Sequence, residues 1–229
     1  MYAPTPILDC LCNELGERLL AFHCQPLSSK LQRVAIVAMG TSSPYQPHKL
    51  VIACLYGASR TFADVRRLVE TRFGPVDDVL PAREFTFSSY YEPEMGPGLM
   101  RTLFSFESLV DPSTLASYKQ AANSIEQEIP GSPGGHADAQ PGRTINLDPG
   151  LLSLSRVILA TTKASAHRVP LRDGLFAEIT LIYRHGRYRP LEWTYPDYRS
   201  DAFVEWLARV RATYHEQLRR LDPARPWRL

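Results

Sequence analysis

The sequence predicts an α+β fold. In detail it predicts a ferredoxin-like split β-α-β sandwich with a mostly antiparallel sheet, extended by a C-terminal hairpin and helix. Two observations carry this. From residue 48 onward the periodicity runs strand, helix, strand, strand, helix, strand, which is the split β-α-β order. A hairpin signal and a long amphipathic stretch then close the chain. The sheet is expected to carry its helices on one face.

Before residue 48 the chain reads as a prelude. Residues 7–22 place Leu8, Leu11, Leu15, Leu19 and Phe22 on one helical stripe, residues 34–38 read as a short strand, and residues 41–47 as a Ser/Pro-rich linker. Residues 1–43 are therefore expected to be a helical extension with its linker, and residues 44–229 a single α+β domain.

Within that domain, residues 50–56 form the first strong strand. Residues 61–72 form a helix that turns Phe62, Val65, Leu68 and Val69 inward and stops at Gly74-Pro75. Residues 83–88 alternate as a strand with Phe85 and Phe87 on one face, and residues 99–106 form the next. Asp111 caps a helix with Pro112 at its first position, an arrangement that leaves no amide proton wasted. Leu115, Tyr118, Ala122, Ile125 and Ile129 carry that helix forward. Residues 130–143 are a Gly/Pro/Ala-rich stretch and are expected to form a mobile loop.

Residues 143–168 are expected at the centre of the sheet, as the floor of any functional site. Thr144, Ile145 and Leu147 favour a strand, and Asp148-Pro149-Gly150 predicts a tight turn after it. Residues 157–160 are a short apolar run suited to a buried strand. Residues 167–171 read as extended and residues 176–183 as a strong strand. His185-Gly186 fits a hairpin turn into residues 188–193. Ser200 is placed as the N-cap of a closing helix that buries Phe203, Trp206, Leu207, Val210, Tyr214 and Leu218.

Composition narrows the class. The chain has 229 residues, 44% hydrophobic and 22% charged, which fits one domain with elaborations. Its 19 prolines point to long ordered loops rather than long helices, and a net charge of +2 is too small to mark a nucleic-acid footprint by itself. Cys10, Cys12, Cys24 and Cys54 contain no C-x-x-C pair, so they fit free thiols in a reducing compartment better than a zinc site. No run of about 18 apolar residues is present. The first residues hold Asp9 and Glu14 rather than a basic stretch. A cytoplasmic protein without a membrane span is expected.

Phosphate-loop, dinucleotide, nucleophile-elbow and H-E-x-x-H patterns are all absent. What remains is a set of polar clusters at element ends. Tyr90 to Gly96 brings two tyrosines together with Glu92 and Glu94, and reads either as a site with Glu94 as its carboxylate or as a solvated turn. Lys119, Asn123 and Glu126 share one helical stripe, either a site wall or a helix border. Asn146, Asp148, Lys163, His167 and Arg168 gather both signs of charge, which suits a phosphate with a divalent ion such as Mg²⁺; an Asx-turn with surface charges is the plainer reading. Strand alternation groups Glu178 with Thr180 and Ile182, on the face expected to be exposed. Trp193 to Tyr198 form an aromatic loop with one acid, Asp197, able to stack on a ring or to plug a core.

Taken together, Y-Y-x-x-E-M-G at 90–96, K-x-x-x-N-x-x-E at 119–126, N-x-D-P-G at 146–150, A-T-x-K at 160–163, H-R at 167–168, A-E-x-T-L at 177–181 and T-Y-P-D-Y at 194–198 resemble the motif series of a bacterial family known only as a domain of unknown function. The likeness covers about residues 48–220. It implies a soluble bacterial protein of this single-domain size and supplies no activity. Some members of that family carry a GTP-binding label, to which the missing phosphate loop lends no support here. Leu151 stands where the family tends to place a tyrosine, and the N-terminus is longer.

Two functions follow as expectations. One is a cytoplasmic protein that binds, and acts on, a phosphorylated or nucleotide-like small molecule. Glu94, Asp148 and Glu178 are its acid-base candidates, Glu94 and Asp148 its metal ligands. Lys119, Asn123, Asn146, Lys163, His167, Arg168, Tyr195 and Tyr198 are its substrate-binding residues. The other is a non-catalytic module for RNA or a protein partner, using the aromatic loop and residues 209–229, where six arginines face two acids. If the first holds, the polar candidates converge on one concavity with Tyr195 or Tyr198 at its rim. The domain boundary is testable by itself: a chain starting at Pro44 is expected to melt in one cooperative transition, and its insolubility would place residues 1–43 in the main core.

Overall fold

His48–Tyr56 (β1) is buried at all nine positions, because it pairs on both sides and is covered on both faces. The computed structural model describes residues 44–129 and 142–223, all within the unit Pro44–Leu229. After β1 come a helix at Phe62–Phe73 (α1), a strand at Val76–Glu84 (β2), a single helical turn at Glu92–Met95 (α2) and a strand at Met100–Val110 (β3). A 3-10 turn leads into Leu115–Glu128 (α3), followed by strands at Ile145–Leu152 (β4) and Arg156–Thr161 (β5). The chain continues through Val169–Pro170 (β6), Phe176–Arg184 (β7), Arg187–Pro190 (β8) and a long helix at Asp201–Leu221 (α4).

The result is an α+β protein built on an open antiparallel sheet of eight strands among the described residues, in the order β2-β3-β1-β4-β5-β7-β6. β6 and β8 share the outer edge of β7, one at each end. Local chemistry explains the helix starts. Thr61 caps α1 and exchanges bonds with Asp64 in a capping box. Asp111 accepts from the Ser113 amide at the 3-10 turn.

Two apolar layers sandwich the sheet. On one face, Val65 and Val69 of α1 and Leu115, Ala122 and Ile125 of α3 pack on Leu50, Ile52, Phe104, Ile145 and Leu147. On the other, Phe203, Trp206, Val210 and Tyr214 of α4 pack on Val51, Leu103, Val157, Leu181 and Tyr188. Each such Val, Leu, Ile or Phe side chain contributes roughly 1.5–3 kcal/mol on burial. Lys49, fully buried, joins α4 to the sheet by bonding Asp77 and, at 3.0 Å, Gln217. Among the described residues no helix is long and apolar enough to cross a membrane.

Three expectations need correction. Helices cover both faces, because α4 carries its own apolar stripe and the strands' alternate residues need a cover too. The strand expected at residues 83–88 lies at Val76–Glu84, and Phe85 onward turns away. As an edge strand β2 tolerates Pro81 at an irregularity in its pairing. Asp148-Pro149-Gly150 is no turn: β4 runs straight through it, held by an unbroken eight-residue register with β1, and that pairing outweighs local turn preference. Ser200 is the N-cap residue of α4 as expected; its carbonyl accepts from the Phe203 and Val204 amides, while its hydroxyl donates back to the Asp197 carbonyl instead of capping the helix. The expected helix at residues 7–22, the strand at 34–38, Cys10, Cys12, Cys24, most of the loop at 130–143, Arg225 and Arg228 lie outside the described residues.

Gly150 serves close packing rather than a turn. A Cβ there would sit 2.6 Å from Leu159 Cδ2 and 2.7 Å from the Ile158 carbonyl oxygen. Gly150→Ala is expected to cost about 1–3 kcal/mol by overpacking, read as a lower urea midpoint. An unchanged midpoint would mean that β5 can move aside freely.

Candidate functional site

The site begins with a seam in the sheet. β4 pairs with β1 along its whole length, but with β5 only over Gly150–Leu152. Pro149, next in line, has no amide proton to offer a ladder. Residues 145–149 of β4 therefore lack a β5 partner, while β5 stays paired to β7 as far as Thr161. Where the two strands part, a cleft of about 380 Å³ opens. Its floor holds Asn146, Asp148, Leu159 and Glu178. Phe85, Phe87, Tyr90 and Tyr91 form one wall and Tyr195–Tyr198 another, and Lys119 and Asn123 of α3 reach it through the seam.

Charge in the cleft is almost fully matched. Lys119 is 5% exposed; its ammonium donates to the Leu147 carbonyl at 2.8 Å and to Asp148 at 3.3 Å. Asn146 donates to the other Asp148 oxygen at 2.8 Å. Arg101 lies 3.9 Å from Asp148 and 2.8 Å from Asp197, between the rings of Phe85 and Tyr198. Arg143 bridges Glu126, Asn146 and Glu94 at 2.7, 2.8 and 3.0 Å, and Glu126 also accepts from the Leu147 amide.

These contacts set the ionisation states. Burial alone pushes the Asp148 carboxyl up, but Lys119 first and then Arg101 and the Asn146 bond overcome it and hold it below the usual carboxylate range. Burial weakens the Arg101 proton, and Asp197, Tyr198 and Asp148 more than restore it. Burial, reinforced by Asp148, pushes Tyr91 up to about 12 and Tyr198 well above its ordinary value. Asp148 is therefore an anion and both phenols are neutral donors. The Tyr198 hydroxyl and Arg101 Nε are buried and have no hydrogen-bond partner among the described residues.

A second layer lies behind Glu178. Arg168 donates to it at 2.7 Å and also holds the Lys163 carbonyl and the Tyr195 hydroxyl. His167 comes within 3.4 Å of the same carboxylate, poorly aimed for a hydrogen bond, and stacks on Trp193 at 4.8 Å.

Lys119, Asn123, Asn146, Asp148, Lys163, Glu178, Tyr195 and Tyr198 all line the cleft. His167 and Arg168 stand behind it. Glu94 does not line it: its side chain is 44% exposed and is held by Arg143, and Gly142 leaves no room for a Cβ against the Glu94 carbonyl. Glu178 was expected on the exposed face and is 2% exposed; alternation groups it correctly with Thr180, but the loops carrying Arg168 and Trp193 cover that side. Sequence reasoning missed Arg101 and Arg143. An arginine inside an apolar strand signals Arg101; Arg143 had no signal, since it adjoins the low-complexity stretch.

Fold and site together define an α+β protein with a ligand-sized cleft at a broken sheet seam. The model of the family described as "Domain of unknown function (DUF4416)" matches residues 46–214, and the chain belongs to that family. No curated protein and no solved structure matches it.

Because the Asp148 carboxyl is depressed in the fold, its contribution to stability is present above the unfolded value of about 3.9 and is lost as pH falls below it. Asp148→Asn is expected to cost about 1.5–3 kcal/mol at pH 7, the range for hydrogen bonds to charged groups. The gap between variant and wild type begins to narrow near about pH 4, where Asp148 of the unfolded chain takes up its proton, and closes only as pH falls through the lower value of the folded state. Urea melts at pH 7 and pH 3 measure it; a gap independent of pH would show that Asp148 is not held as an anion.

Proposed function

We propose that the cleft binds a phosphorylated or nucleotide-like small molecule, with its anionic group at Lys163 and its ring against the aromatic wall. One observation carries this reading. Of the four cationic side chains lining the cleft, Lys119, Arg101 and Arg143 each face a carboxylate, whereas Lys163 has none among the described residues. Its ammonium touches only Tyr90, 3.2 Å from the hydroxyl and 4.5 Å from the ring centre. Thr161 and Thr162 add hydroxyls beside it, and the unpartnered Tyr198 hydroxyl supplies a donor from the other wall. The volume falls in the range of small-molecule sites, roughly 300–1,000 Å³.

The reading is of binding without a metal. Among the described residues no three of His, Cys, Asp and Glu gather around one point. The two carboxylates considered as ligands, Glu94 and Asp148, already face cations. Held as an anion by Lys119 and Arg101, Asp148 is also a weak proton acceptor at neutral pH. The cytoplasm is the location we assign; Cys54 is a buried free thiol, which fits a reducing compartment.

The test is a thermal-shift panel of nucleotides, sugar phosphates and inorganic phosphate, each with and without Mg²⁺. At a hundredfold excess over Kd a true ligand stabilises by about 2.7 kcal/mol, a rise of roughly 5–10 °C at this size. Lys163→Ala is expected to remove the rise and leave the unliganded melting point within about 2 °C, since surface changes move stability little. Silence across the panel, or a rise that survives Lys163→Ala, would overturn the reading. A rise that needs Mg²⁺ would overturn its metal-free form.

A further inference from the structure

At the opposite end of β5 and β7 from the cleft, the sheet presents a second charged surface of a different kind. Pairing places Arg156 of β5, Ile182 of β7 and Arg189 of β8 in one row, and Arg184 beside Arg187 in the next. Directly paired residues of an antiparallel sheet point to the same side, so four arginines share one face. All four are exposed. Helix α3 packs on β4 and the near side of β5, and the aromatic partners in these strands, Tyr183 and Tyr188, turn to the α4 side.

Folding gives no reason for this cluster. Like charges directly opposite one another are destabilising, yet Arg184 faces Arg187 across a two-residue turn whose His185 and Gly186 both have positive φ. That turn type locks the register. The only carboxylate ion-paired with the cluster among the described residues is Asp201, 3.7 Å from Arg187 and itself 88% exposed. By contrast, the C-terminal arginines are engaged within the fold. Arg211 bonds the Leu154 carbonyl and covers Tyr183, Arg209 pairs with Asp78, and Arg219 and Arg220 pair with Glu216.

We propose that this face binds the phosphate backbone of a single-stranded nucleic acid. Guanidinium forks match phosphate oxygens two at a time. The patch spans about 7 Å along a strand and about 10 Å across three strands, the footprint of one backbone rather than of a duplex groove, which is about 12 Å wide on its major side. A membrane surface fits less well, because interfacial binding needs large apolar side chains between the charges: only the half-buried Ile182 lies among the arginines, and the 40% exposed Ile179 lies outside them, toward the cleft end of β7. With no aromatic ring on the face to stack a base, binding is expected to be independent of sequence.

The test is fluorescence anisotropy of labelled 12-nucleotide oligouridine and oligothymidine with the full chain, across 25–200 mM KCl. Four phosphate contacts predict a slope of log K against log salt of about −3. The double variant Arg184→Ala, Arg189→Ala is expected to reduce the slope by about 1.4 and to weaken binding at least tenfold at 50 mM, with a melting point no lower than that of wild type. Arg219→Ala, an exposed arginine elsewhere, is expected to stay within twofold of wild type. The proposal falls if neither oligonucleotide binds at 50 mM salt. It also falls if Arg219→Ala costs as much as the hairpin substitutions, or if phosphatidylserine vesicles are bound and oligonucleotides are not.

Discussion

The cleft exists because β4 and β5 stop pairing after three residues. A sheet whose middle strands stayed zipped would have no room between α3 and the aromatic loop, and Lys119 could not reach Asp148 from the helix side. Two small residues hold the break in place. Gly150 lets β5 come close enough to start the ladder, and Pro149 cannot extend it. Asn146 and Asp148 lie on the unpaired half of β4, where their side chains are stationed by a strand that β1 still holds.

Opening a seam in a buried sheet exposes backbone carbonyls and charged groups to a poorly solvated space, and unpaired charges there are costly. The cleft answers with alternating charge: Lys119, Asp148, Arg101 and Asp197 form one chain of contacts, Arg143 and Glu126 another, Arg168 and Glu178 a third. These groups do structural work first. Their mutual satisfaction explains why Lys163, which faces no carboxylate among the described residues, and the unpartnered Tyr198 hydroxyl are more informative about a ligand than the many groups that are closed.

Much of the architecture was legible because it rests on local periodicity. The stripes of α1, α3 and α4 and the alternation of β7 are visible in the residues themselves, and the His185-Gly186 hairpin is a two-residue signal. What was hidden depends on long-range pairing. Asp148-Pro149-Gly150 looks like a turn unless the register with β1 is known, and β2 is obscured by Pro81 and two aspartates that only an edge strand accommodates. The site was partly legible for the same reason. Lys163 follows the end of β5 and Glu178 lies within β7, both of them elements that periodicity marks, whereas Arg101 becomes part of the site only when β3 is placed beside β1. Glu94 was misread because its neighbours Tyr90 and Tyr91 do reach the cleft while its own side chain turns to Arg143.

A net charge of +2 conceals how unevenly charge is distributed. Inside the cleft arginine and lysine are matched nearly one for one, because a buried cation without a partner would destabilise the fold. On the β7–β8 hairpin nothing forces a match, since exposed guanidinium groups are solvated. Folding therefore explains the paired arginines and is indifferent to unpaired exposed ones, except where the register sets two of them opposite each other. Arg184 and Arg187 are that exception. Substituting either would relieve repulsion without removing a packing contact from the buried α4 side, where Tyr183 and Tyr188 lie. A charge pattern that slightly opposes the stability of the element carrying it is better explained by what the surface meets than by how the chain folds.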